Sequence, residues 1–240
     1  MEGTKKWVML GTLVMVVAVS ARVGWIYHER REAEKPVETP VVHVTDDQMV
    51  WLKKKHQTSL KDARELNGQT VWISAGGQMT AYPSTPTHVD YAGKGALLLG
   101  AEPLHVVNMI EQVAPKEGDR IPKGDHQVVM LFTRPTDTKQ LLGVPVGYVE
   151  EGIYKFYLDE IFFYDDPHTL YKHWPKEVWA AVDQHKVIKG MNELQSQIAL
   201  GQVSKSAGTT YGNRTVKYYN DGHPVNVTYV HDAATEVVAK

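Results

Sequence analysis

The chain has 240 residues, a formal net charge of −2 and no cysteine. That charge excludes bulk nucleic-acid binding, which needs a basic surface to displace counterions from phosphates. The lack of cysteine excludes a disulfide framework, a Cys-based zinc site, a thiol nucleophile and a lipid-modified N-terminal cysteine.

Residues 1–6 are a short tail carrying Lys5 and Lys6, and residues 7–27 read as a transmembrane anchor. From Trp7 to Ala21 no residue is charged; Arg22 interrupts once, and Val23-Gly24-Trp25-Ile26-Tyr27 resume the apolar run. A helix rising 1.5 Å per residue needs roughly 20 residues to cross a ~30 Å hydrocarbon core. Arg22 can snorkel to the headgroups, with Trp25 and Tyr27 at the interface. The competing reading is a cleaved signal peptide, with Val19 and Ala21 at −3 and −1 of the cut. Both readings carry the bulk of the chain out of the cytoplasm, as a single-pass signal-anchored protein or a released one. A cysteine-free exported chain suits a bacterial envelope, such as the periplasm.

Residues 28–44, with Pro36 and Pro40 and no apolar period, read as a linker. A helical segment is expected over 45–67. Thr45-Asp46-Asp47-Gln48 has the form of a capping box ahead of Met49, Val50, Trp51 and Leu52. A second short helix follows Ser59, with Leu60, Ala63 and Leu66 as its apolar stripe.

From 68 to 164 the period changes to that of strands. Short runs at 70–73, 78–82, 96–99, 104–107, 127–132, 143–148 and 153–157 are separated by Gly, Pro, Asp and Ser, and predict a small β-rich barrel or sandwich-like domain. Gly76-Gly77 reads as a turn.

Residues 165–240 read as an α+β module. Pro175 opens a helix whose apolar face is Val178, Trp179, Ala180 and Val182; Asn192 caps another through Leu194, Ile198 and Leu200, closed by Gly201. A hairpin follows, 214–219 and 225–230 around Asn220-Asp221-Gly222, with Glu236-Val237-Val238 as a third strand. The whole chain is therefore α+β: anchor, β-rich module, then helix-helix-hairpin.

Lys189-Gly190-Met191-Asn192-Glu193-Leu194-Gln195, then Ala199-Leu200-Gly201 and the hairpin, resemble the SmpA/OmlA (BamE-like) envelope module. The resemblance implies two helices on a three-stranded antiparallel sheet and a role in outer-membrane assembly or envelope integrity. This chain departs from that pattern in lacking the lipid-modified cysteine and in carrying Val203 where a proline is common.

Asp165, Asp166, His168 and His173 are the metal candidates, since carboxylates and imidazoles suit a divalent cation. Their spacing places no set on one helical face, so no metal or other cofactor is assigned. Tyr154, Phe156, Tyr157, Phe163, Tyr164, Tyr171 and Trp174 form a dense aromatic group that reads either as core or as a partner-binding surface. No catalytic constellation stands out. The expectation is a non-enzymatic interaction or envelope-assembly factor, with the lipid bilayer and another envelope protein as partners and no nucleic acid. The alternatives are a cell-wall or polysaccharide binder, or a metal-dependent or hydrolytic enzyme centred near His168 and His173.

Overall fold

The computed structural model describes residues Glu2–Ala33, 44–115 and 126–239. Helix α1 spans Glu2–Ala33. Within it Met9–Arg31, 23 residues of mean hydropathy 1.8, is long and apolar enough to cross a membrane, a property signal sequences share. The helix runs past the expected end at Tyr27 because residues 28–33 contain good helix formers and neither Gly nor Pro. Of the expected linker, residues 34–43 lie outside the described residues.

Thr45–Lys240 form a separate compact unit. It opens with a single 3-10 turn, Asp46–Met49, in which the Thr45 N–H donates to Gln48 Oε1 at 3.1 Å. The helix expected through Leu52 does not form; Val50 is extended (φ −72°, ψ 120°) and residues 51–58 have no helical turn. Nucleating a helix in so short a segment is costly. As an extended strap it bonds its backbone N–H groups to the domain instead, those of Lys55 and His56 reaching the Asp159 carboxylate at 3.0 and 2.9 Å. Helix α2 (Leu60–Ala63) forms as expected after Ser59, whose Oγ accepts from Asp62 N at 3.2 Å, and tightens into a 3-10 turn ending at the buried Leu66.

Nine strands follow: β1 (Thr70–Ile73), β2 (Thr80–Thr85), β3 (His88–Val89), β4 (Ala96–Leu97), β5 (Pro103–Val113), β6 (His126–Arg134), β7 (Asp137–Glu150), β8 (Ile153–Phe156) and β9 (Phe162–Phe163), with helix α3 (Leu158–Ile161) before the last. They make one antiparallel sheet in the order β3-β2-β7-β6-β5-β1-β9, with β4 added to β2 and β8 to β7. Among the described residues no ladder joins β3 to β9, where a barrel would close. Strand β6 is buried on both faces, Val128, Met130 and Phe132 in the main core and Val129 and Leu131 in a smaller cluster with Val89 and Ile110. This explains why its sequence is an unbroken apolar run rather than an alternating one. Pro145 sits within β7 at a register shift opposite Val128 and Val129, a bulge that tolerates a missing N–H.

The C-terminal part holds α4 (Pro167–Leu170), α5 (Lys176–Asp183) and α6 (Glu193–Leu200), then a four-stranded antiparallel meander of β10 (Val203–Ala207), β11 (Thr215–Tyr218), β12 (Val225–Val230) and β13 (Ala233–Ala239). Asn192 caps α6, its Oδ1 accepting from Gln195 N at 2.8 Å. Three details differ from the sequence reading. Ala180, expected on the apolar face of α5, is exposed, and Ala181 stands in the core instead. Strand β10 adds a fourth member to the sheet. The Asp221-Gly222 dipeptide is not a two-residue hairpin, because Tyr218 pairs with Val225 and a 3-10 turn, Asn220–Gly222, lies between them. The tight turn is instead His231-Asp232, both at positive φ (51° and 58°), between the paired Val230 and Ala233. That is the backbone a two-residue hairpin requires, here adopted without glycine.

A second core joins Val178, Trp179 and Val182 of α5, Ile198 and Leu200 of α6, and Val216, Tyr218, Val227 and Tyr229 of the meander. It also takes in Phe163 and Ala101 from the β-rich part. The two parts meet backbone to backbone: Gly76 N donates to Ile198 O at 2.8 Å, and a Cβ on Gly100 would lie 1.8 Å from the same oxygen. Gly201, at φ 91°, would place a Cβ 2.1 Å from Gly76 O. A side chain on Gly76, Gly100 or Gly201 is excluded at this seam.

Candidate functional site

The residues singled out from the sequence gather where the strap crosses the aromatic group. Phe163, Tyr171, Trp174 and Trp179 form a ladder: Phe163 meets Tyr171 edge-on at 6.2 Å, Tyr171 stacks on Trp174 at 4.5 Å, and Trp174 tilts against Trp179 at 4.9 Å. His168 completes it, stacked on Trp179 at 4.0 Å. Pro167 at the first turn of α4 and Pro175 before α5 fix the corners that bring these rings together.

Asp47 closes the ladder from the strap. Its Oδ1 accepts from Trp174 Nε1 and from His173 Nε2, both at 2.6 Å, and its Oδ2 accepts from Asn192 Nδ2 at 2.7 Å. Because a carboxylate only accepts, His173 carries its proton on Nε2. Burial, and after it the charge of Asp47, push the Tyr171 phenol up to about 12, so it stays a neutral donor. Further along, Lys53 pairs with Asp165 at 2.6 Å, Lys54 donates to the carbonyl of Asp159, and Gln57 donates to the Tyr164 hydroxyl at 3.1 Å. Under this stretch lies a small cavity of about 80 Å³ bounded by Leu52, Ser74, Phe163, Tyr164 and Leu170.

The four metal candidates are not brought to one point. Asp165 pairs with Lys53. Asp166 caps α4 through His168 N at 2.9 Å and meets His168 Nδ1 at 3.1 Å. The other nitrogen of His168 faces Asp183 at 3.3 Å, and His173 is held by Asp47. No group of three or more metal-ligating side chains occurs among the described residues.

The aromatics divide between the cores. Phe163, Tyr171 and Trp174 are buried in the second, while Tyr154, Phe156, Tyr157 and Tyr164 are partly buried against the first. Tyr154 stacks on Phe156 at 5.9 Å and donates to Glu111 at 2.7 Å. The Tyr157 hydroxyl is buried with no partner among the described residues, and desolvation raises its pKa well above the usual phenol value.

Sequence reasoning missed Asp47, because a capping-box reading assigns the strap to a helix and so hides a carboxylate that works over long range. It missed Trp51 and Met49 for the same reason; these are 83% and 65% exposed on the strap, while Val50 between them packs into the second core. It also missed the pair of buried Glu193 and half-buried Arg214, whose side chains meet at 2.8 Å, with Glu193 also accepting Gly212 N at 2.6 Å. No family model, no curated protein and no solved structure matches the chain.

Proposed function

We propose that this protein is a single-pass, membrane-anchored protein with its bulk outside the cytoplasm of a bacterium, acting through contact with another envelope protein and not through catalysis. The observation that carries this reading is α1. Its Met9–Arg31 stretch is long and apolar enough to cross a membrane, and Thr45–Lys240 has apolar cores of its own. Lipid is the solvent such a helix suits. The SmpA/OmlA resemblance supports an envelope-assembly role, since α5 and α6 precede an antiparallel sheet as in that module. Strand β10, exposed along its whole length and paired on one side with β11, offers an edge on which a partner strand can add.

Membrane fractionation tests the reading. The full chain should stay in the pellet after a high-salt wash and enter solution with detergent. Recovery of a soluble mature protein beginning at Arg22 would overturn the anchor.

A second reading, a binder of cell-wall polysaccharide, draws on a cleft of about 280 Å³ whose lining includes Gln78, Gln202, Ser204 and Tyr219 and no charged residue. Amides, a hydroxyl and an aromatic ring are groups that suit a neutral sugar. Titration with neutral oligosaccharides, and its loss in Tyr219→Ala, separates this reading from the first.

A further inference from the structure

An ordered tryptophan that is 83% exposed is out of keeping with a domain that buries or half-buries Trp72, Trp174 and Trp179. It does not stand alone. Met49 flanks it across Val50, whose side chain packs inward and whose backbone is extended, so the neighbours on either side are turned outward. The strap beneath is not loose, being fastened by Asp47 to Trp174 and Asn192 and by Asp159 to the N–H groups of Lys55 and His56. The lysines that follow are turned to the domain, Lys53 to Asp165, Lys54 to the Asp159 carbonyl and Lys55 to Gln69. The fastened strap therefore presents one aromatic and one thioether side chain.

We propose that Met49 and Trp51 insert into the headgroup region of the bilayer that holds α1, so that the domain rests on the membrane by this strap. The inference rests on the anchor reading and adds a second, shallow contact to it. Chain length supplies the first argument for lipid over any other occupant: residues 34–43 can span at most about 36 Å, so the strap cannot leave the neighbourhood of the membrane. A tether of that length holds the strap at a high effective concentration near the headgroups, where a contact too weak to bind from solution is populated. Chemistry supplies the second. Trp is the side chain favoured at the membrane interface, with an apolar body and a polar N–H.

The absence of cysteine makes the test clean. Single variants Met49→Cys, Trp51→Cys and, as a control on the exposed β10, Ser206→Cys are labelled with an environment-sensitive fluorophore in the full chain. Each is reconstituted into vesicles of phosphatidylcholine and phosphatidylglycerol. The proposal expects blue-shifted emission at 49 and 51, quenched by a lipid spin-labelled near the headgroup, and aqueous emission at 206. Vesicles that float with the protein while 49 and 51 remain aqueous leave the anchor standing and overturn this inference. Failure of the protein to float overturns both. A blue shift in native membranes that is missing in the lipid-only vesicles also overturns it, and assigns the strap to a protein partner. If labelling at 51 perturbs the strap, Met49→Cys beside an intact Trp51 distinguishes the same outcomes.

Discussion

Asp47 and Trp174 lie 127 residues apart in the chain and 2.6 Å apart in space, the carboxylate Oδ1 accepting the indole N–H. The same carboxylate takes the amide of Asn192, the residue that caps α6. One side chain thus ties the strap to the aromatic ladder and to the start of the last helix.

Asp47→Ala should leave the Trp174 N–H and the Asn192 amide without their acceptor, a loss of about 1–3 kcal/mol for partners left buried and unsatisfied. Denaturant unfolding of residues 45–240 measures it. Limited proteolysis should also cut the strap of the variant faster than that of the parent. Unchanged cleavage would show that the contacts from Val50 onward fasten the strap without Asp47.

Asp159 gives the strap an acid limit. Burial acts to raise its pKa, but the N–H of Lys55, the Tyr164 hydroxyl, the N–H of His56 and the charge of Lys54 outweigh it and leave it lowered. A carboxylate with a depressed folded pKa stabilises the fold above its unfolded value, about 3.9, and that contribution fades as pH falls through the folded pKa. The stability difference between the parent and Asp159→Asn should be largest at neutral pH and shrink below pH of about 4. A difference that is constant with pH would contradict it.

The sequence was legible where one local signal matched one tertiary outcome. Ser59 and Asn192 cap helices, β6 is an apolar strand, and Val178, Ile198 and Leu200 fall in one core. It was illegible where long-range contacts outweighed local pattern. Thr45-Asp46-Asp47-Gln48 does start a turn, yet it stops at Met49, in a segment tied to the domain by Asp47 at Trp174 and Asn192. Asp221-Gly222 has the hairpin composition, but the tight turn falls at His231-Asp232, where Asn213 accepts the His231 N–H at 2.8 Å and the Gly212 carbonyl accepts that of Asp232 at 2.8 Å. Of the proposed site, the aromatics were visible as a cluster; that their ladder runs through α4 and α5 to a strap carboxylate was not, because no spacing encodes a contact across 127 residues.

The glycine seam between the two parts predicts an order of severity. Leu200→Ala removes a buried side chain and should cost about 2–5 kcal/mol. Gly100→Ala adds one methyl, but 1.8 Å from a backbone oxygen that cannot rotate away, so it should be at least as damaging. Thermal unfolding of the two variants ranks them. A neutral Gly100→Ala would mean that the two parts can separate without loss of fold.

Asp232 should behave in the opposite sense to Asp159. Desolvation first, and then the charges of Glu193 and Asp47, raise its pKa, against the backbone N–H of Glu193 that lowers it. The stability this group supplies is complete below about 3.9 and is lost as pH rises through its folded pKa. Asp232→Asn keeps a side chain that tolerates positive φ and removes the charge. The variant should therefore gain on the parent as pH rises from about 3 to 7, read from urea midpoints at each pH. A variant that loses ground over that range would show that the carboxylate is needed ionised.

The last prediction concerns Glu193, 2% exposed at the first turn of α6, and Arg214 at the entry to β11. The guanidinium donates through Nε at 3.1 Å and through its terminal nitrogen at 2.8 Å, and the Glu193 hydrogen bond raises the Arg214 pKa above its already high ordinary value. A bidentate pair of this kind is strong in geometry but carries a desolvation cost, so its parts should be worth more broken than its sum is worth intact. Arg214→Met alone should strand the Glu193 charge and cost about 3 kcal/mol, with the partial exposure of Arg214 keeping it near the low end of the range for buried pairs. Glu193→Gln keeps an acceptor for the Gly212 N–H and should cost less. Combining the two should recover part of the Arg214→Met loss, because no unpaired charge is left in the core. A double-mutant cycle measures this directly, and strictly additive losses would show that the two charges are solvated independently.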